Sequence, residues 1–314
     1  MMGELLEMDV VNVPNYDGFQ ATATSLRMAC RVTGRHRVLL ADTIGRDKLS
    51  KVRDYLKPDI EIEMVGHDRV TGGMDLAGLS KSIDEQTAAV YFENPSYLGY
   101  LETHGEEISG LAHQHGSLSV VSVDPISLGV IAPPARYGAD IVCGDIQSLG
   151  MHMQFGGGHG GYIASHDDER IVQQYPSRLF GIAPTCVPGE YGFGDVAYDR
   201  TSFAKREQGN EWVGTAAALW GITAGVYLAL MGPQGMRELG EGILFRTRYA
   251  KEKLGRIKGV GTNIFDATHF REFVVNFDGT GRKVKDIHKK MLERKIFAGK
   301  DLTNDIPELG ESAQ

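Results

Sequence analysis

The chain has 314 residues, 42% of them hydrophobic and 24% charged, an ordinary composition for a globular protein with room for one large α/β domain and a smaller one. Its formal net charge of −8 argues against a nucleic-acid binder, which needs clustered Lys and Arg to neutralise phosphates. Three widely spaced cysteines (Cys30, Cys143 and Cys186) suggest neither a disulfide framework nor a metal site and suit a reduced, cytoplasmic chain; no apolar run approaches the roughly eighteen residues of a membrane span.

The N-terminal stretch MMGELLEMDVVNV is acidic and lacks the basic start of a signal peptide. Tyr16-Asp17-Gly18-Phe19 then opens a helical pattern over 19–33. Asp17 suits the N-cap, and the free N–H groups beside it, Gly18 included, suit either an ordinary capped helix or an anion such as phosphate. Short apolar runs follow at 38–42, 60–65, 88–92, 118–124, 140–145 and 160–165, with helical patterns between several of them at 46–57, 75–84 and 104–115. That alternation predicts βαβ units in a mostly parallel sheet, whose strands, buried on both faces, read as continuous apolar runs. No internal repeat interrupts it.

The loops after these strands hold the candidate chemistry. After 88–92 comes Asn94-Pro95-Ser96-Tyr97-Leu98-Gly99-Tyr100, whose aromatics could cover a ring, meet a second subunit or simply pack a loop. Asp124 follows the 118–124 strand, at the sheet edge where open α/β folds bind ligands, although a turn-capping role would account for it too. The turn Asp145-Ile146-Gln147-Ser148-Leu149-Gly150 precedes a glycine-rich loop flanked by His152 and His159, each of which suits a loop or interface position as well as a catalytic base. That loop is neither GxxxxGK[ST] nor GxGxxG, so a nucleotide site is not expected.

Residues 166–210 are rich in Pro, Gly, Tyr and charge and predict an ordered functional loop or a partner-contacting excursion. A mostly apolar helix is expected over 211–230, stopped by Gly232-Pro233, and a second over 233–256. Strands are expected at 259–265 and 271–277. The basic residues of 283–294 fall on the wet face of an amphipathic helix. These assignments divide the chain into a large α/β domain (1–210), a connecting helix (211–232) and a small α+β domain (233–314).

YDGFQATA, ENPSYLGYLE, VVSVDPISLGVIAPPARYGADIVCGDIQSLG, FGGGHGGYIA and VYLALMGPQGMREL, in this order over nearly the whole chain, resemble the alpha (first) subunit of the two-subunit glycine cleavage system P-protein family. That family is the aminomethyl-transferring, decarboxylating glycine dehydrogenase, an oxidoreductase of glycine catabolism. The resemblance implies a type I pyridoxal-dependent transferase fold, with a large seven-stranded sheet domain and a smaller C-terminal domain. It implies a heterotetramer with a homologous beta subunit, which holds pyridoxal phosphate on a lysine preceded by a histidine. Here Ser148 stands at the lysine position and Gln147 at the histidine position, and no lysine occurs between Lys81 and Lys205. A serine hydroxyl cannot form an imine, so the cofactor must be anchored by the partner and no covalent catalysis is expected on this chain. Asp17, Gly18, Asp124 and Gln147 are then remnants of a cofactor site. Tyr97, Tyr100, His152 and His159 are candidates for the wall that this chain supplies to the partner's site. The implied reaction takes CO₂ from glycine and passes the aminomethyl group to the lipoyl arm of the H-protein.

The chain departs from the family at both ends: it begins near the helix leading to YDG and stops where the small domain would finish, which implies a truncated copy. It also carries AKREQGNEWVGTAAALW where the family has RREKATSNICTNQAL, and Thr43-Ile44-Gly45 where the family has a His-Pro pair. Two other functions compete with the subunit role. One is a non-catalytic scaffold or regulatory homologue, which the altered residues 207–212 favour. The other is a self-sufficient pyridoxal enzyme using Lys205.

Overall fold

The computed structural model describes residues 1–196, 198–211, 213 and 217–314. In chain order the elements are α1 (Met2–Leu6), β1 (Val10–Asn15), α2 (Gly18–Thr33), β2 (Arg37–Ala41), α3 (Arg46–Leu56), β3 (Glu61–Val65), α4 (Leu76–Ser82), β4 (Thr87–Glu93), α5 (Gly105–Gln114), β5 (Leu118–Ser122), β6 (Ile141–Asp145) and β7 (Gly161–Ser165). They are followed by α6 (Glu169–Val172), β8 (Phe180–Pro184), β9 (Tyr191–Asp195), α7 (Ala218–Gly255), β10 (Val275–Asn276), α8 (Val284–Glu293) and β11 (Ser312–Ala313).

Seven strands form one sheet in the order β1-β7-β6-β5-β4-β2-β3. The five strands from β6 to β3 run parallel, while β7 runs antiparallel to both β6 and β1. Side chains alternate across a strand, and both faces are dry. Leu39, Val90, Phe92, Val121 and Val142 enter one core. Their neighbours Val38, Leu40, Ala89, Tyr91, Val120 and Ile141 enter the other. Helix α2 covers this second face with Ala21, Leu26 and Met28, and Cys143 is a buried member of the same cluster. A third cluster joins Leu98 and Tyr100 to Phe265, Val274, Leu302 and Ile306 from the C-terminal part of the chain.

Each of the six expected strands exists. The seventh, β1, sits in a stretch that the apolar pattern did not mark, because Asn12, Pro14 and Asn15 break its run of valines. Buried Asn12 and Asn15 are held by side-chain hydrogen bonds: Asn12 donates to Ser177 Oγ at 2.8 Å, and Asn15 donates to Asn12 Oδ1 at 3.0 Å. The C-terminal strands differ from expectation. Residues 259–265 form no strand and only Gly261 makes a bridge, to Asn276. The partner of Val275–Asn276 is Ser312–Ala313. The helix expected from residue 211 begins at Ala218, and residues 212 and 214–216 of the altered segment lie outside the described residues. Helix α7 continues to Gly255 across a break at Gly232, where φ is +59°, followed by Pro233. The 166–210 excursion contains α6 and the β8–β9 hairpin, whose ten strand residues are all exposed.

Candidate functional site

Three successive parallel strands end in carboxylates. Glu93 closes β4, Asp124 lies just past β5 and Asp145 closes β6. With the N-terminus of α2, the Pro95–Tyr97 turn and Arg271–Glu272 they line a cleft of about 340 Å³. Its position at the C-terminal edge of the parallel strands is the place where the fold leaves loops free to meet a ligand.

The charges in this cleft are already paired. Asp124 Oδ1 accepts from the Ile126 amide at 3.1 Å and from Ser148 Oγ at 3.4 Å, and its Oδ2 lies 2.7 Å from the Arg271 guanidinium. Burial pushes the neighbouring Glu272 carboxyl up, and Arg271 partly offsets this. On the other wall Lys48 Nζ lies 2.6 Å from Glu93 and donates to Ser122 Oγ at 3.1 Å. Tyr91 donates to the same Glu93 oxygen at 2.8 Å.

Helix α2 starts as its sequence predicts, with Asp17 Oδ1 accepting from the Gln20 amide at 2.7 Å. The adjacent anion slot is filled from within the chain, because the Gly18 amide donates to Asp145 Oδ2 at 2.9 Å. A side chain at residue 18 would be tight, since a Cβ there would lie 3.1 Å from Asp145 Cβ. Asp145 also accepts from the Gln147 amide at 2.7 Å and contacts His159 Nδ1 at 3.2 Å.

Gly18, Asp124, Gln147, Ser148, Tyr97 and His159 therefore share one cleft, with Asp17 at its rim. The Tyr97 hydroxyl donates to Asp305 at 3.4 Å, and burial pushes its pKa up to about 12. Tyr100 and His152 are not among the lining residues. Tyr100 is buried, its hydroxyl donating to Thr43 Oγ1 at 3.1 Å and its ring edge-on to Phe265. His152 is exposed on the glycine-rich loop. Lys205, the lysine of the self-sufficient alternative, is exposed and outside the cleft. Sequence reasoning missed Lys48, Glu93 and Arg271. Lys48 reads as a wet-face residue of α3, and Arg271 reaches the cleft only through tertiary packing.

The sequence model of the glycine cleavage system P-protein family matches residues 1–307. The chain belongs to this family. It is 39% identical over its whole length to a probable glycine dehydrogenase (decarboxylating) subunit 1 of Staphylothermus marinus, of which it covers 67%. It is 38% identical over 97% of its length to the protein of the same name in Saccharolobus islandicus, of which it covers 66%. The chain thus spans about two thirds of the length of these relatives. The crystal structure of a glycine decarboxylase (P-protein) of the glycine cleavage system superimposes with a TM-score of 0.87 at 30% identity, covering all of this chain and 68% of that one. The chain accordingly has the pyridoxal-dependent transferase-like fold, with its mostly parallel seven-stranded sheet. A sphingosine-1-phosphate lyase of Burkholderia pseudomallei, 12% identical, shares the fold with a TM-score of 0.60 over 88% of the chain.

Proposed function

We propose that this chain is the lysine-lacking subunit of a glycine dehydrogenase (decarboxylating) and works with a homologous subunit that anchors the pyridoxal phosphate. The observation that carries this reading is Ser148, a hydroxyl 3.4 Å from Asp124 at the sheet edge where an imine-forming amine would be needed. A pyridoxal phosphate in this chain's own cleft would require an amine, an anion slot and a carboxylate free to face the ring nitrogen. Ser148 offers no amine, and Lys48 is engaged by Glu93 and Ser122. Asp145 fills the slot at the Gly18 amide, and Asp124 is paired with Arg271. These residues do not fit the cofactor, so chemistry on glycine and transfer to a lipoylated H-protein belong to the partner's site.

The exposed apolar surface supports the need for a partner. Leu219, Ile222, Val226 and Leu230 recur at helical spacing along α7 and are 66%, 65%, 55% and 82% exposed. The β8–β9 hairpin carries exposed Phe180, Ile182, Tyr191 and Phe193, and the glycine-rich loop carries exposed Met153 and Phe155. A monomer in water rarely keeps this much apolar surface uncovered. In this reading the chain contributes structure: Tyr97, His159 and the 152–159 loop wall the partner's site, whereas Tyr100 serves the core. Three free cysteines fit a reducing compartment such as the cytoplasm.

The test is to express the chain with and without a homologous subunit that carries the lysine, and to measure glycine-dependent CO₂ release with lipoylated H-protein. Activity that requires both chains, together with aggregation of this chain alone, is the expected result. A stable soluble monomer that leaves the other subunit's turnover unchanged would overturn the assignment and favour a scaffold.

A further inference from the structure

Away from the cleft, the C-terminal half of α7 and the 262–269 segment enclose a groove of about 850 Å³. Arg248, Lys251, Glu252 and Arg256 recur at helical spacing along its α7 wall. The opposite wall carries Asn263 and His269. The charge balance is unusual for a protein of formal charge −8, since three cations face one carboxylate, and that carboxylate, Glu252, is paired with Arg256. Among the described residues no carboxylate pairs with Arg248 or Lys251.

Cations near a helix C-terminus complement its dipole, which accounts for Arg256 at the end of α7. It does not account for Lys251, whose ammonium is half-buried against an imidazole, with Nζ 2.9 Å from His269 Nδ1. Burial lowers the Lys251 pKa, and burial together with Lys251 holds His269 down to about 4. With His269 neutral, the one charge in this contact is the half-buried Lys251 ammonium, for which the described residues supply no carboxylate.

We propose that this groove binds a phosphoryl dianion, held by Arg248 and Lys251 with the Asn263 amide as a further donor. The ligand is either free phosphate or the phosphate of a small organic monoester. Arg suits the planar, bidentate hold on phosphate oxygens and Lys supplies a point charge. The inference goes beyond the glycine dehydrogenase reading and does not depend on it.

The test is calorimetric titration of the full chain at low ionic strength with inorganic phosphate and, separately, with glycerol 3-phosphate. One saturable site is expected. Arg248→Gln and Lys251→Gln are each expected to weaken binding roughly tenfold, the loss that follows from removing one charge-assisted hydrogen bond. Arg170→Gln, which changes an exposed arginine outside the groove, is expected to leave it unchanged. Arg248 is exposed, so its variant keeps the fold even if Lys251→Gln does not. Tighter binding of the monoester would assign the site to a phosphorylated metabolite, and equal binding would assign it to free phosphate. Absence of saturable binding, equal affinity in wild type and Arg248→Gln, or an equal effect of chloride at matched ionic strength would overturn the proposal.

Discussion

At the scale of single residues, the cleft is held together by pairs that each depend on both members. The Lys48–Glu93 pair has only 12% exposure on either side chain. Glu93→Ala would strand the Lys48 ammonium, and a loss of about 3 kcal/mol is expected in urea unfolding, because an unpaired charge keeps its desolvation cost without its attraction. Glu93→Gln, which still accepts from Lys48, is expected to lose less. His269 gives a pH test. Its folded pKa of about 4 lies below the ordinary 6.5, so the unfolded chain binds more protons between these values. The contribution of neutral His269 is therefore present above pH 6.5 and is lost as pH falls toward 4. Comparing the pH dependence of unfolding in wild type and His269→Gln should show a shallower acid loss in the variant. Asp17 and Asp124 were visible in the sequence because one precedes a helix and the other follows an apolar strand, whereas Ser148 stood out through the family resemblance. Lys48 and Arg271 were not, because nothing in their local pattern separates them from solvated surface charge.

At the scale of elements, the entry into α2 concentrates the local constraints. Asp17→Ala removes the side-chain acceptor for the Gln20 amide, and a destabilisation of about 1 kcal/mol is expected. Gly161, at the start of β7, lies so close to this turn that a Cβ would meet the Asp17 carbonyl at 2.2 Å. Gly161→Ala is expected to cost about 3 kcal/mol by overpacking, while Gly194→Ala, with nothing within 4 Å, should be near neutral in the same thermal unfolding assay. Helices α2 to α5 and α8 and the six recognised strands were legible because helical periods alternate in the sequence with short, mostly apolar runs. Strand β1 was not, since its polar residues are satisfied only by tertiary partners such as Ser177. The β10–β11 pair was hidden for a related reason, as two strands of two residues each leave no period to detect.

At the scale of the whole molecule, the α7 stripe and the β8–β9 hairpin leave apolar side chains exposed, which the proposed partner subunit would cover. A two-stranded hairpin is marginal by itself in water, so β8–β9 should gain order on association. Ile222→Glu with Leu230→Glu is expected to change the unfolding free energy by no more than about 0.5 kcal/mol per site, since both residues are exposed, while reducing light-scattering aggregation of the isolated chain and abolishing co-purification with the proposed lysine-bearing subunit. By itself the sequence determined the α/β class, the strands of the parallel sheet and the Asp17 cap, which follow from local periodicity and capping chemistry; that Ser148 stands at the position of an imine-forming lysine is what the family resemblance implies. Only the tertiary structure decided that Asp145 fills the anion slot at Gly18, that Arg271 closes on Asp124 and that Tyr100 belongs to the core. Each of those facts rests on a contact between segments far apart in the chain, whose geometry is set by packing.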